Sequence, residues 1–250
     1  MSDLQAINLL ILWFQCEEDQ FTCNDGTCIA LEKRCNDIFE CIDDSDEKDC
    51  ETLVINESSY RKRLPPISLA GKTSITVSVI VDSITKINEL EMTFKARLKI
   101  YLQWRDERIT FKNLASDGNV LSIEKQKKIW IPNGNFPNTE GKIKITKDQS
   151  LMAKVLRQGL SMRHISELNE ETIYKGAEND LKVVVLHEPT FNCVFDLSNF
   201  PFDTQDCSMD IKISPAFQKY TVIKPLKLIY SGKTRLKRLL ILSSRDNKKR

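Results

Sequence analysis

The sequence predicts a mainly β fold, in which an antiparallel β-sandwich follows a small disulfide-rich module at the amino terminus. Residues 92–104 carry apolar side chains at every second place, which indicates a strand with one buried face. Six of the eight cysteines lie within residues 16–50, which indicates a disulfide framework and an oxidising compartment. The other two, Cys193 and Cys207, predict one further bridge in the large domain.

Further strands are predicted along the large domain. One contains four alternating apolar residues: Ile75, Val77, Val79 and Val81. The stretches "LKVVVLHEPTFNC" and "CSMDIKI" are interpreted as strands on either side of the loop between Cys193 and Cys207. Only "SLMAKVLRQGLSM", residues 150–162, is typical of a helix. Short strands separated by turns favour an antiparallel sandwich.

The charge of the 250-residue chain is nearly balanced, since 37 basic and 35 acidic residues give a net charge of +2. This balance argues against a nucleic-acid partner. The apolar run at residues 6–14 is too short to span a bilayer, and it is either the core of a signal peptide or the end of an upstream segment. The expected division is 1–15 for this segment, 16–50 for the cysteine module, 51–63 for a linker, 64–242 for the sandwich and 243–250 for a basic tail.

The cysteine module is too short to bury much of a core without disulfides or a metal. Its cysteine spacing, its ending "DDSDEKDC" and the positions of Phe21, Gly26 and Ile29 resemble the LDL-receptor class A repeat. Six cysteines alone allow fifteen pairings. The resemblance implies three of them: Cys16–Cys28, Cys23–Cys41 and Cys35–Cys50.

The same resemblance implies that the module binds one calcium ion. The implied ligands are the side chains of Asn36, Glu40, Asp46 and Glu47 and the backbone carbonyls of Lys33 and Ile38. Calcium takes six to eight oxygen ligands, and acids crowded into one loop repel each other without a cation. The family usually has Asp at the first two places, so Asn36 and Glu40 predict weaker binding. The alternative is an acidic, disulfide-held module without useful calcium affinity.

The polar segment 51–63 is interpreted as an exposed linker between the module and the sandwich. It contains Asn56-Glu57-Ser58, which is an N-glycosylation acceptor in a secreted protein.

The segment "CVFDLSNFPFDTQDC" encloses thirteen residues between its cysteines and resembles the signature loop of pentameric Cys-loop ligand-gated ion channels. Four further stretches resemble the family in the right order: "LPPI", "LQWRDERITF", "IWIPN" and "KPLKLIYSG". One departure is Asn133, where the family has Asp. The resemblance covers about residues 60–240 and implies an extracellular ligand-binding domain that partners other channel subunits in a pentamer and binds a small neurotransmitter-like ligand.

The resemblance also implies a role for the loop that Cys193 and Cys207 close. In the family this loop lies at the membrane end of the sandwich and presses on the channel domain when ligand binds. Its tip here is Phe200, Pro201 and Phe202, with Asp203 as the charged contact. The alternative is a hairpin brace whose aromatic side chains fold into the core.

The family's agonist lies between two subunits in a box of aromatic residues, which suits cationic ligands. The positions carried over are Lys99, Tyr101, Asn135, Phe136, Ser214 and Phe217. Because Lys and Ser replace aromatic residues, the box does not favour a quaternary amine. It suits an anionic or zwitterionic ligand, or no ligand.

The sequence therefore predicts the extracellular ligand-binding region of a Cys-loop channel subunit at the plasma membrane, without the pore and expected as a fragment. The alternative is a soluble secreted binding protein on the same sandwich. An enzyme is not expected, because no carboxylate pair lies in an apolar setting that separates an acid from a base. Ser161 and His164 lack a third orienting group.

Overall fold

The computed structural model describes residues 16–17, 20–36, 38–48, 50, 52–67, 71–141, 152–165, 170–200, 202, 205–213, 219–224 and 227–230. Within this part of the chain, no helix is both long and apolar enough to cross a lipid bilayer.

The amino-terminal module is a small disulfide-held unit. Strand β1 (Gln20–Thr22) pairs antiparallel with β2 (Cys28–Ala30), and single 3-10 turns follow at Leu31–Lys33 and Ser45–Glu47. Among the described residues, its hydrophobic cluster contains four buried side chains: Phe21, Cys23, Ile29 and Cys41. So small a core cannot hold the chain by burial alone, and the bridges restrict the unfolded state instead.

The structure contains the disulfide pairing that the resemblance implies. In the module the bridges join Cys16 to Cys28, Cys23 to Cys41 and Cys35 to Cys50, and in the large domain Cys193 is joined to Cys207. The cysteines of the chain are therefore all paired.

The large domain is a sandwich of two sheets. Its elements in chain order are β3 (Leu53–Ile55), β4 (Thr73–Asn88), β5 (Thr93–Trp104), β6 (Ile109–Lys112), α1 (Ile123–Lys128), β7 (Gly134–Asn135), β8 (Met152–Leu156), β9 (Met162–Ile165), β10 (Glu170–Lys175), β11 (Asp180–His187), β12 (Thr190–Asn192), β13 (Lys212–Ile213), β14 (Thr221–Ile223) and β15 (Lys227–Tyr230). The mainly β fold predicted from the sequence is confirmed.

The two sheets share one hydrophobic core. One sheet has the order β3-β6-β10-β9, and the other has the order β14-β4-β5-β11-β8, with β12 also on β5 and β15 also on β4. A single buried cluster contains Phe111 and Tyr174 from the first sheet and Leu98, Ile100 and Val183 from the second. Most pairings are antiparallel, but β14 and β15 run parallel to β4, so the sandwich is not wholly antiparallel.

Strand β5 shows why this sequence forms the sandwich. Its even-numbered apolar side chains are buried in the core: Phe94, Ala96, Leu98, Ile100, Leu102 and Trp104. Its odd-numbered polar side chains lie on the opposite face of the sheet, as period-two alternation requires. The strand begins at Thr93, because Met92 has a positive φ of 50° in the turn after β4.

The helix predicted at residues 150–162 is wrong, because the described part of this segment forms strand β8 and begins β9. Ala153 and Val155 are buried with a period of two, and β8 pairs antiparallel with β11. Tertiary pairing therefore overrides the helical propensity of Leu, Met, Ala and Lys. A short helix, α1, lies elsewhere, and its amino-terminal cap is Ser122, whose hydroxyl accepts a hydrogen bond from the Lys125 N–H.

The strand predicted in "CSMDIKI" is shorter than expected and covers only β13. Before it, the side chain of Asn138 takes the place of a partner strand. Its Nδ2 donates to the carbonyl of Ser208 at 2.8 Å, and its Oδ1 accepts from the N–H of Asp210 at 3.0 Å. A side-chain amide satisfies backbone groups that a ladder would otherwise satisfy.

The segment 51–63, interpreted as an exposed linker, is in its described part built into the sandwich. Strand β3 pairs with β6, and Leu53 and Tyr60 are buried in the main core. The Tyr60 hydroxyl donates to Oδ2 of Asp106 at 2.9 Å and accepts from the N–H of Trp130 at 2.8 Å. The linker interpretation is wrong because the segment, although polar in composition, contains two side chains, Leu53 and Tyr60, that anchor it in the core.

Asp106 is the centre of a buried polar network. It accepts hydrogen bonds from Nε and Nη2 of Arg108 at 2.8 and 2.7 Å, in addition to that from Tyr60. The Arg108 guanidinium lies 4.3 Å from the centre of the Tyr60 ring. Burial, followed by the negative charge of Asp106, raises the pKa of Tyr60 well above its ordinary value, so its phenol stays a hydrogen-bond donor.

Candidate functional site

Three acidic side chains meet in the amino-terminal module. One carboxylate oxygen from each of Glu40, Asp46 and Glu47 lies within 4.8 Å of the others. The short turn Ser45–Glu47 places Asp46 and Glu47 next to each other, and the bridge from Cys35 to Cys50 holds this turn against the preceding loop. Three carboxylates this close repel one another unless a cation neutralises them.

Asp46 is the buried member of this cluster. Its side chain is fully buried, and Oδ2 accepts a hydrogen bond from the N–H of Glu40 at 2.7 Å. Burial alone would raise the pKa of Asp46, but the backbone N–H groups of Glu40 and Cys41 outweigh it and lower the pKa. Asp46 is therefore ionised at neutral pH.

Two buried carboxylate oxygens of the cluster have no hydrogen-bond partner in the described part of the chain: Oδ1 of Asp46 and Oε2 of Glu40. Buried charged oxygens without donors are costly, and hard oxygen donors are the ligands that calcium prefers. The residues present therefore fit a calcium ion.

The other predicted calcium ligands are Asn36, Lys33 and Ile38, and of these Asn36 is hydrogen-bonded to the cluster. Asn36 joins it through hydrogen bonds, since its Nδ2 donates to Oε1 of Glu40 at 3.2 Å and its N–H donates to Oε1 of Glu47 at 2.9 Å. Lys33 and Ile38 are exposed in the same loop, and their carbonyls stay predicted ligands.

The Cys193–Cys207 loop packs against the turn that joins β4 to β5. The N–H of Cys193 donates to the carbonyl of Met92 at 2.9 Å, and the N–H of Phe195 donates to the Met92 sulfur at 3.4 Å. Phe195 is buried and fixes the base of the loop. Two loops from different parts of the chain thus form one end of the sandwich.

The described tip of this loop is exposed. Phe200 and Phe202 are 65% and 92% accessible, and each N–H closes a tight turn, onto the carbonyls of Leu197 and Asn199 respectively. This exposure favours the contact surface over the hairpin brace, because a brace would bury both rings. The predicted contacts Pro201 and Asp203 lie outside the described residues.

Two of the predicted ligand contacts lie on the solvent-facing side of β5. Lys99 and Tyr101 are two residues apart and point away from the core. The ammonium of Lys182, on the adjacent strand β11, lies 4.7 Å from the centre of the Tyr101 ring. The three side chains form a partly exposed patch with two positive charges, and we call these three residues the β5 patch.

The prediction that Phe136 contacts the ligand is wrong, because its side chain is fully buried in the core. Its ring packs edge-on against Phe191 at 5.4 Å and His187 at 6.2 Å, in the centre of the core. Asn135 precedes it on β7 and is partly exposed, with a buried Oδ1 that has no partner in the described part of the chain. Sequence position alone did not reveal that the side chain directly after this short strand faces the core.

Within one subunit, those predicted ligand contacts that the structure describes are not brought together. Lys99 and Tyr101 lie on the outer face of β5, whereas Asn135 lies on β7, which pairs with β13 in a separate two-stranded ribbon. Ser214 and Phe217 lie outside the described residues.

Comparisons with known proteins agree with this architecture. A family model described as the neurotransmitter-gated ion-channel ligand binding domain matches residues 50–224, and one described as the low-density lipoprotein receptor domain class A matches residues 14–50. The first match begins at the segment that the structure builds into the sandwich rather than after it.

Curated relatives include γ-aminobutyric acid receptor subunits. The mouse (Mus musculus) subunit rho-2 is 28% identical over 139 residues, which are 55% of this chain and 26% of that protein. The Homo sapiens subunit rho-1 is 30% identical over 139 residues, which are 55% of this chain and 25% of that protein. The chain thus spans about a quarter of the length of these relatives.

The match to the channel family covers well over half of the chain and includes the Cys193–Cys207 loop, the buried Asp106 and each strand of the two sheets except β15. That family consists of ligand-gated ion channels and is not a class of enzymes. LDL-receptor class A domains, as a family, bind calcium. The chain belongs to the family of neurotransmitter-gated ion-channel ligand-binding domains, and an LDL-receptor class A domain precedes that domain.

Proposed function

We propose that this domain is the extracellular ligand-binding region of a channel subunit whose agonist is a small zwitterionic amino acid. The observation that carries the proposal is the β5 patch of Lys99, Tyr101 and Lys182. The named relatives are γ-aminobutyric acid receptor subunits, and γ-aminobutyric acid is itself such a zwitterion.

The charges of the β5 patch support a carboxylate rather than a quaternary amine as the group it binds. The face of the Tyr101 ring already has the Lys182 ammonium against it, so a cationic ligand would compete with a tethered cation. Lys99 has no ion-pair partner among the described residues, and a lysine ammonium binds a carboxylate through charge-assisted hydrogen bonds. Lys99 and Tyr101 are therefore the proposed contacts, with Asn135, Ser214 and Phe217 as proposed contacts from the adjoining subunit.

The proposal is tested by ligand binding to a chimera in which residues 52–224 replace the matching part of the human rho-1 subunit. We expect Lys99→Ala to weaken the binding of radiolabelled γ-aminobutyric acid by about tenfold, because one charge-assisted hydrogen bond is lost. The exposed Lys127 on α1 is the control, and Lys127→Ala should leave affinity unchanged. Equal affinity in the Lys99→Ala variant and the parent would contradict the assignment.

We also propose that the Cys193–Cys207 loop transmits ligand binding to the channel domain through Phe200, Pro201, Phe202 and Asp203. The support is the rigid closure of the loop by one bridge, its packing on Met92 and its exposed aromatic tip.

Replacing both exposed rings should separate transmission from folding. We expect Phe200→Ser/Phe202→Ser to change the free energy of unfolding of the chain by less than about 0.5 kcal/mol, since both rings are exposed. The same change in the chimera should reduce the agonist-evoked current while γ-aminobutyric acid binding stays the same. The contrasting variant is Phe195→Ala, which should cost about 3 kcal/mol or more because Phe195 is buried. A comparable loss of stability in both variants would favour the alternative interpretation, in which the loop is a hairpin brace.

The cysteine module is proposed to hold one calcium ion through Glu40, Asp46, Glu47 and Asn36, with the carbonyls of Lys33 and Ile38. The support is the clustered carboxylates and the two buried oxygens without donors. The ion would neutralise the cluster and fix the loop, so that binding and folding of the module are coupled.

Other properties of the family are proposed for this chain on the same basis. We infer a location on the extracellular face of the plasma membrane, because four disulfides need an oxidising compartment. Further channel subunits are the proposed partners. Asn56 is the proposed glycosylation site, since it lies exposed in a turn after β3 where its Oδ1 accepts hydrogen bonds from Ser58.

A further inference from the structure

We propose that a polar groove at the end of the sandwich opposite the Cys193–Cys207 loop binds a small molecule carrying a carboxylate or sulfate group. The groove lies where β4 begins and β5 ends, and its volume is about 380 Å³. That volume falls within the range of small-molecule sites. Strand β4 spans 16 residues, so the groove lies about 40 Å from the β4–β5 turn. We call it the end groove.

The end groove offers hydrogen-bond donors that have no acceptor. Lys72 and Lys224 stand exposed at its rim, and neither side chain forms an ion pair or hydrogen bond with any residue that the structure describes. Ser74 and Thr76, one above the other on β4, add two hydroxyl groups to its wall. Two ammonium groups and two hydroxyls on one wall are suited to an oxyanion.

The donors of the end groove lie on the outer face of the sheet, where Thr76 of β4 pairs with Gln103 of β5. Trp104 also lines the groove, but its ring belongs to the core on the opposite face of β5 and packs edge-on against Trp130 at 5.9 Å. An anion in the groove would therefore be bound by lysine and hydroxyl groups of the outer face.

The acids of the groove do not satisfy these donors. Asp180 is already engaged, because its Oδ1 accepts from Nε of Arg105 at 2.6 Å and its Oδ2 accepts from Nε2 of Gln103 at 2.6 Å. Glu107 is exposed and makes no hydrogen bond within the described residues. The three basic residues Lys72, Arg105 and Lys224 exceed these two acids by one charge, so the groove attracts an anion.

The test is a titration of the oxidised 250-residue chain, followed by the backbone amide signals of Lys72, Ser74 and Thr76 in NMR spectra. Sodium sulfate and sodium acetate are each exchanged for sodium chloride at constant ionic strength. We expect a saturable shift with at least one of the two anions, and the anion that saturates identifies the class of ligand. Shifts that rise linearly with both anions would overturn the proposal.

Two lysine variants distinguish the groove from general charge effects. Lys72→Ala/Lys224→Ala should raise the dissociation constant by at least about fivefold. Lys86→Ala/Lys127→Ala removes the same charge from exposed lysines outside the groove and should leave the constant within about twofold. Glu107→Gln should lower it, because a repelling acid is removed. Equal weakening in both double variants would also overturn the site. The groove contains none of the β5 patch, so this test and the agonist test fail independently.

Discussion

Replacing Asp46 with alanine should weaken calcium binding by the 250-residue chain roughly a hundredfold, as measured by calorimetric titration after chelation. Asp46 is the fully buried carboxylate of the module, and its Oδ1 has no donor among the described residues. Its loss removes a full charge and the acceptor that holds the N–H of Glu40. Metal binding and the order of the module should therefore fall together, visible as lost dispersion of amide signals from residues 16–50.

Two companion variants calibrate that result. Asn36→Ala should cost less affinity than Asp46→Ala, because Asn36 is exposed and uncharged. Glu32→Ala removes an equal charge from an exposed position of the same module and should change affinity little. If Asp46→Ala and Glu32→Ala bind calcium equally well, the acids act only as a general negative field and the site is wrong.

Asp106→Ala should lower the free energy of unfolding of the sandwich by about 3–5 kcal/mol, measured by urea denaturation. Asp106 is buried and accepts hydrogen bonds from Tyr60 and Arg108, so its removal leaves a buried phenol and a half-buried guanidinium without their acceptor. Tyr60 also binds the backbone of Trp130, and the damage should extend to the segment before β4.

The neighbouring acid serves as the control for Asp106. Glu107 is exposed and makes no hydrogen bond within the described residues, and Glu107→Ala should change stability by less than about 0.5 kcal/mol. A similarly small effect of Asp106→Ala would mean that residues 52–67 are not held to the sandwich through this network. Hydrogen exchange of the Tyr60 and Trp130 amides locates the loss.

Those parts of the fold that depend on local alternation could be predicted from the sequence. In the predicted runs Ile75–Val81 and 92–104 each second side chain is apolar, and each of these is buried except Met92, which lies exposed in the turn before β5. The disulfide pairing could also be predicted, because the cysteine spacing resembles that of a known family. The parts that failed depend on tertiary contacts. Ala153 and Val155 form a strand only because β11 provides the partner, and the segment with Tyr60 is fixed by Asp106, forty-six residues away in the chain.

In the candidate site, too, the features that depend on local sequence could be predicted, and those that depend on tertiary contacts could not. The exposed Phe200 and Phe202 follow from their place at the tip of a short closed loop, which sequence shows directly. The burial of Phe136 follows from its packing on Phe191 and His187, which local sequence does not show. The covering of Tyr101 by Lys182 arises only when β5 and β11 pair in their observed register. The preference for a zwitterionic over a cationic ligand could therefore be inferred only from the pairing of the two strands, and not from the sequence.

The agonist-evoked current of cells that express the chimera of residues 52–224 with the human rho-1 subunit decides whether this domain binds a zwitterionic agonist. We expect current with γ-aminobutyric acid or a related small zwitterionic amino acid, and none with choline. Surface labelling must first show that the chimera reaches the plasma membrane. A chimera that is present at the surface and gives no current with any zwitterionic amino acid, or that opens with choline instead, would show that the proposed ligand class is wrong.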